Sequence, residues 1–325
     1  MGACDPNFAD CDNDKRVNGC ETDTTLYGCA GPSCAAGVTC GSKSCCETRF
    51  VPGGTFQMGR GTTGEDAYCP WDTSIVCIDN EKPEHDVTVS PFYLDTFEVT
   101  VGRFRPFADQ YDGTPPASGA GANPHVPGSG WQPSWNAQLP VNRDDLLASI
   151  TCNGNDQTWT SLPTTHEPYA MNCLSWFVSF AFCIWDGKRL PTEAEWEFAA
   201  AGGSQDHPYP WGAGVDATRA SYKDSANSPF VNVGSYPDGM GLFGQLDLAG
   251  SMWEWTLDWY AANWYAGGGA TCQDCANLTT AASRVHRGGA WWKEAGYMRA
   301  AHRSLGSAPT WRSSTVGVRC ASTHP

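Results

Sequence analysis

Residues 188–203 specify one short helix with both ends fixed, and that constrains everything around it. The Thr192 hydroxyl can accept from the backbone of the first turn. Glu195, three residues on, can reach back to the Thr192 N–H, completing a reciprocal capping box. Gly202-Gly203 then stops the helix, because glycine enters the left-handed C-terminal cap without a Cβ penalty. Four more motifs rich in Trp and Gly follow: Tyr209-Pro210-Trp211-Gly212, Gly250-Ser251-Met252-Trp253-Glu254-Trp255, Arg287-Gly288-Gly289-Ala290-Trp291 and Gly317-Val318-Arg319-Cys320.

Further signals place other elements. Pro52 to Gly59 reads as a turn and a strand, and His85 to Val89 alternates with the two-residue period of a strand. Thr100 can cap a helix whose Phe104 and Phe107 share a face. Residues 111–140, rich in Gly, Pro and Ser, read as a long loop interrupted by Trp131 and Trp135. Cys173 to Trp185 is mostly apolar and long enough to be a buried helix, closed by Gly187. Beyond Gly203, loops and short strands are expected, with no internal repeat and no linker.

The chain has 325 residues, 41% apolar and 17% charged, with 15 Trp, 36 Gly and 22 Pro. This suits a loop-rich fold packed around aromatic rings. Acidic residues outnumber basic ones 35 to 20, a net charge of −15. That argues against nucleic acid and anionic membrane surfaces as partners, and favours solubility and cation binding. No run of about 18 apolar residues occurs, so no membrane span is expected. No charged-then-apolar leader follows Met1, and the chain reads as a mature form.

Sixteen cysteines point to an oxidising compartment, hence a secreted, periplasmic or cell-surface protein. Eight lie within residues 1–46 and eight between 69 and 320, two even counts expected if each region pairs internally. Residues 1–46, rich in Asp, Gly and Cys, cannot bury a core and read as a disulfide-stapled segment. Residues 47–325 read as one domain. Proximity suggests Cys69 with Cys77 and Cys152 with Cys173. Cys272-Gln273-Asp274-Cys275 suits a loop-stapling disulfide, the reading preferred, over a redox dithiol or half of a zinc site, which would need two more ligands. In the stapled segment, Asp10, Asp12, Asp14, Arg16, Asn18 and Glu21 have the spacing of a twelve-residue calcium loop, Arg16 through its carbonyl. Lys15 stands where that loop needs glycine, and a solvated acidic turn is the competing reading.

Taken in order, the motifs over residues 50–320 resemble the formylglycine-generating enzyme (sulfatase-modifying factor) family. The resemblance implies an α+β, C-type-lectin-like fold. It implies a disulfide between Cys183 and Cys320, and a structural calcium held by the side chains of Asp247 and Glu254 and the carbonyls of Gly250 and Met252. A second family calcium site would start near Ser221, with Asp224 close by. The family's oxidases carry two copper-binding cysteines just after the Arg-Gly-Gly motif. Here the first of these positions is Lys293, the second falls within Glu294 to Met298, and no thiol lies between Trp291 and Arg319. Cu(I) needs soft thiolates, so no copper is expected. Two readings follow. One is a non-catalytic module that binds a small molecule, carbohydrate or protein through Trp291, Trp292, Lys293, Tyr297, His302 and Trp311, with Glu294 and Arg312 nearby; aromatic and Arg side chains are what binding surfaces use as anchors. The other is a thiol-independent enzyme acting in maturation of a secreted product. His166, His207 and His286 show no shared metal spacing and read as surface or hydrogen-bonded histidines.

Overall fold

The structure is a computed structural model and describes residues 8–9, 22–23, 31–34, 37–63, 79–152, 156–225 and 230–324. Two short hairpins come first, β1 (Phe8–Ala9) with β2 (Thr22–Asp23) and β3 (Thr39–Cys40) with β4 (Lys43–Ser44). β5 (Thr48–Val51) turns at Pro52-Gly53 into β6 (Gly54–Met58). Gly53 sits at φ +67°, and a Cβ there would lie 2.4 Å from the Val89 carbonyl, so the turn requires glycine. β7 (His85–Val89) and β8 (Phe92–Asp95) pair antiparallel with β6 and β5 respectively, Phe56 opposite Val87 and Phe50 opposite Tyr93. In β7, Val87 and Val89 are buried while Asp86 is exposed, the alternation expected of a strand with one wet face.

Helices occupy the middle of the chain: α1 (Val101–Gln110), α2 (Arg143–Ser149), α3 (Trp176–Trp185) and α4 (Glu193–Ala200). Thr100 caps α1 by accepting from Arg103 N, and Phe104 and Phe107 are buried. α4 has the capping box, Thr192 accepting from Glu195 N while Glu195 accepts from Thr192 N at 2.8 Å, and Gly202 follows at φ +70°. α3 is buried from Trp176 to Cys183, which is why it is apolar all round. It ends at Gly187, φ +75°. The loop over 111–140 contains one 3₁₀ stretch, Pro133–Gln138. It folds inward because Trp131 is fully buried and Trp135 packs edge-on against Trp176, ring centres 5.1 Å apart.

The last third supplies β9 (Trp253–Trp259), β10 (Cys272–Gln273), β11 (Arg284–Arg287), β12 (Val316–Gly317) and β13 (Ala321–Ser322). β9 is flanked by β11, antiparallel, and β12, parallel; β13 joins β8 and β10 joins β7. The C-terminal residues therefore return to both the middle and the beginning of the chain. Cys183–Cys320 ties α3 to this returning segment across 137 residues. Cys152–Cys173 and Cys272–Cys275 are also bridged. Cys34–Cys46 and Cys40–Cys45 pair within the Cys-rich segment, whose end is fixed to the main body: Ser33 N donates to Asp186 Oδ1 at 2.9 Å and Arg103 Nε to Ser33 Oγ at 3.1 Å. The loop of Asp10, Asp12, Asp14, Asn18 and Glu21 and the pair Cys69 and Cys77 lie outside the described residues.

Several charged side chains are buried in the interior. Arg103 is fully buried between Asp95 and Asp186, 2.7 Å from each. Arg284 lies between the faces of Trp176 and Trp259, 3.7 and 3.6 Å from their ring centres. Its guanidinium stays charged, because arginine does not deprotonate in proteins and two aromatic faces stabilise the cation.

Candidate ligand-binding site

β9 is buried along its whole length, so residues on neighbouring strands are held against its tryptophans. β11 sets His286 opposite Trp255, with the Trp253 ring 4.9 Å away. At the end of β11, Arg287 forms an ion pair with Glu197 and donates to His302 O at 2.6 Å. Gly288 and Gly289 follow at φ +98° and +81°. Cβ atoms there would meet the Leu248 carbonyl at 3.1 Å and Met298 Cγ at 3.0 Å, so the chain crosses here as bare backbone. This fixed crossing delivers Trp292 and Lys293, and then the 3₁₀ turn Ala295–Met298, to one side of β9.

A cavity of about 320 Å³ opens there, walled by Trp253, His286, Trp292, Lys293, Tyr297 and Trp311. His302, Arg303 and a run of hydroxyl side chains, Ser304, Ser307, Ser313 and Thr315, complete it. Lys293 Nζ stands 4.0 Å from the Trp292 ring centre and 4.5 Å from that of Tyr297. Trp311 stacks on His286 at 5.7 Å and 22°. Five of the six groove residues expected from sequence, Trp292, Lys293, Tyr297, His302 and Trp311, thus share one wall. Trp291 does not: it packs edge-on against Phe230 at 5.9 Å, because its neighbour Ala290 is buried and the chain turns its ring to the other side. Glu294 reaches away to Lys223 at 2.7 Å, and Arg312 donates to the Ser149 carbonyl outside the cavity.

The electrostatics are set by burial. Burial first, then the charges on His302 and Lys293, push His286 down to about 3, so it is neutral. His286 is therefore a buried wall of the cavity and the hydrogen-bonded kind of histidine, its Nε2 3.1 Å from Ser307 Oγ. His302 Nδ1 lies 2.9 Å from Glu81 Oε1. Burial pushes His302 below its usual value against the pull of Glu81. Burial alone would raise Glu81, but its bonds and charge interactions with His302 and Arg299 bring it to about 2, so the carboxylate is ionised. Burial also lowers Lys293, opposed by Glu294, and raises Tyr297. Glu81 is the partner that sequence reasoning missed. It lies 221 residues from His302 in sequence, and no local spacing announces it.

The expected calcium residues form a separate buried group. Glu254 accepts from Arg319 at 2.8 Å and from Trp196 Nε1 at 2.8 Å. Asp247 accepts from Gly234 N at 2.5 Å. Glu98, which sequence reasoning did not include, accepts from Met252 N and Ser251 Oγ, both at 2.9 Å. Burial, with the charges of Asp247 and Glu254, holds Glu98 well above the carboxylate range, and burial brings Asp247 to about 6. Three acidic side chains thus share one guanidinium, and the shortage of positive charge beside Asp247 and Glu254 helps keep Glu98 protonated. Among the described residues no three His, Cys, Asp or Glu side chains converge as a metal-holding group. A cation here would need the Gly250 and Met252 carbonyls for much of its shell. At the other expected calcium position, the Ser221 carbonyl accepts from Ser251 N and Asp224 is exposed.

The profile of the sulfatase-modifying factor enzyme 1-like domain matches residues 38–324. The chain belongs to that family. Among family relatives, it is 31% identical to inactive C-alpha-formylglycine-generating enzyme 2 of Bos taurus, over 84% of this chain and 86% of that one. It is 28% identical to the formylglycine-generating enzyme of Mus musculus, over 89% and 79%. It also matches serine/threonine-protein kinase Pkn1 of Chlamydia trachomatis at 28% over 85% of this chain, but spans only 38% of that protein's length. Among solved structures, PvdO from Pseudomonas aeruginosa shares the fold, with a TM-score of 0.60 and 22% identity over 85% of this chain and 94% of that one. The family's α+β, C-type-lectin-like fold is the one expected from the motifs. The disulfides fit an oxidising compartment, and no helix among the described residues is long and apolar enough to cross a membrane.

Proposed function

We propose that this chain is a secreted, non-oxidase member of its family that binds an organic ligand in the cavity beside β9, with calcium stabilising the fold. The observation that carries the reading is Lys293. It stands at the position where the family resemblance calls for the first copper thiolate, and a lysine ammonium repels Cu(I) where a thiolate would bind it. Every cysteine among the described residues is paired, so none of them supplies a replacement thiol. What remains at the position is a cation on aromatic faces, an arrangement of binding surfaces rather than of dioxygen chemistry. The test is incubation with Cu(I), oxygen and a cysteine-containing sulfatase peptide. No formylglycine is expected, and its formation at an enzymatic rate would overturn the reading.

One observation favours a second reading, a thiol-independent enzyme. His302, on the cavity wall, is oriented through Nδ1 by an ionised Glu81, as a general base is oriented by a carboxylate. A redox metal found in stoichiometric amount on the purified protein would move the balance toward catalysis, and its absence together with ligand binding toward the module. Calcium is supported by the all-oxygen donors and the shortage of positive charge beside Asp247 and Glu254.

A further inference from the structure

We infer that the occupant of the cavity is a small apolar monocarboxylate, its charged end on Lys293 and its apolar part against the rings of Trp292, Tyr297 and Trp311. This deepens the binding reading and rests on it.

Lys293 is half-buried and makes no ion pair among the described residues. Glu294, its neighbour in sequence, is bound to Lys223 instead. The other cation on the wall, Arg303, is committed to Glu193 at 2.7 Å and to the Ala261 carbonyl at 2.8 Å. The chain carries 35 acidic residues, yet no Asp or Glu lines the cavity among the described residues. A site with an unmatched ammonium and no carboxylate of its own attracts one from outside. Tyr297 turns its ring toward the ammonium, its centre 4.5 Å from Nζ, and so supplies an apolar wall beside it.

The rest of the ligand is fixed by the walls. Trp292 is 47% and Leu305 62% exposed at this cavity, an apolar rim that water covers only at a cost. About 320 Å³ is at the small end of organic-ligand pockets, which run from roughly 300 Å³ upward. The net charge of −15 then selects among anions. A polyanion such as nucleic acid or a sulfated glycan would lay most of its charges on the negative body, within the Debye length of about 8 Å. A single carboxylate seated on Lys293 avoids that repulsion.

Calorimetry on the full chain with 2-naphthoate and its neutral isostere 2-naphthamide tests this. The carboxylate should bind about tenfold more tightly, the scale of one charge-assisted hydrogen bond. Lys293→Met should abolish that preference and Lys293→Arg restore most of it, while Trp292→Ala weakens both compounds. An unchanged melting temperature in Lys293→Met would show that the fold is intact. Equal affinity for the two compounds, or a preference that survives Lys293→Met, would overturn the carboxylate assignment while leaving a binding cavity. Failure of both compounds to bind the wild-type protein would overturn the assignment and count against the binding reading as well.

Discussion

Lys293 holds its ammonium 4.0 Å from the centre of the Trp292 ring, while Glu294 bonds Lys223 at 2.7 Å and forms no ion pair with it. A cation over an exposed ring is worth about 0.5–1 kcal/mol, too little to explain the arrangement as a stabilising device. Trp292→Ala and Lys293→Ala should therefore leave the melting temperature within a degree or two of wild type, by the usual scale of surface substitutions. Both should reduce ligand binding. A large loss of stability in either variant would assign the pair a structural role.

The second expectation concerns the three acids around Arg319. Chelation should lower the melting temperature and added calcium restore it, because a ligand that binds only the folded state stabilises it by mass action. Asp247→Asn should remove this response, since it deletes a charge yet keeps an acceptor for Gly234 N, and asparagine tolerates the φ of +60°. Glu254→Ala should be far more damaging, by about 3–5 kcal/mol, because it strands buried Arg319. A thermal melt indifferent to chelator would count against the metal.

The Cys183–Cys320 bridge closes a loop of 137 residues. On the chain-entropy model such a loop contributes about 5 kcal/mol, so the double Ser variant should unfold at much lower denaturant. Peptide mapping without reduction should recover the two cysteines linked; alkylation of either in the native protein would refute the bridge.

Stability should fall as pH rises from about 6.5 to 8; below that range His286, folded at about 3, opposes the acids because only its unfolded form takes up a proton. Burial raises Asp258, helped by Glu193, and raises Glu197 against Arg287, each to about 7. These values lie above those of unfolded carboxylates, about 4, so the native state binds more protons between the two. Their contribution is complete below about pH 4 and is lost as pH climbs through about 7. Glu81 acts oppositely. Folded at about 2, it contributes stability above the unfolded value that disappears as pH falls toward 2. Melting temperatures across this range measure the balance, and a curve that rises from about pH 6.5 to 8 would contradict the assigned burial of these acids.

Local chemistry made the helices legible. A cap at Thr192 with Glu195, a glycine at Gly202, and Phe104 beside Phe107 are decided within one turn of chain, so periodicity and capping rules reach them. The groove segment was legible as a segment for the same reason: Gly288 and Gly289 mark a backbone that must bend left-handed. Trp291 and Trp292, adjacent in sequence, could not be told apart, because which ring faces Phe230 and which faces the cavity depends on elements far away. His286 and His302 looked unrelated at 16 residues' separation, yet β11 and the returning chain set both against Trp253.

The sequence by itself determined the capped helices, the oxidising chemistry of its cysteines, the family to which the motifs belong and the replacement of a thiolate position by Lys293. Only the tertiary structure decided which charges are paired. Glu81 with His302, Glu98 with the Ser251 hydroxyl and the Met252 N–H, and Glu254 with Arg319 join residues 221, 153 to 154 and 65 positions apart. Such pairs depend on burial, which removes water as a competing partner and makes each charge seek another across the fold. Among the described residues Lys293 has no ion-pair partner, because Glu294, its neighbour in sequence, is bonded to Lys223, a fact of geometry that no local pattern contains.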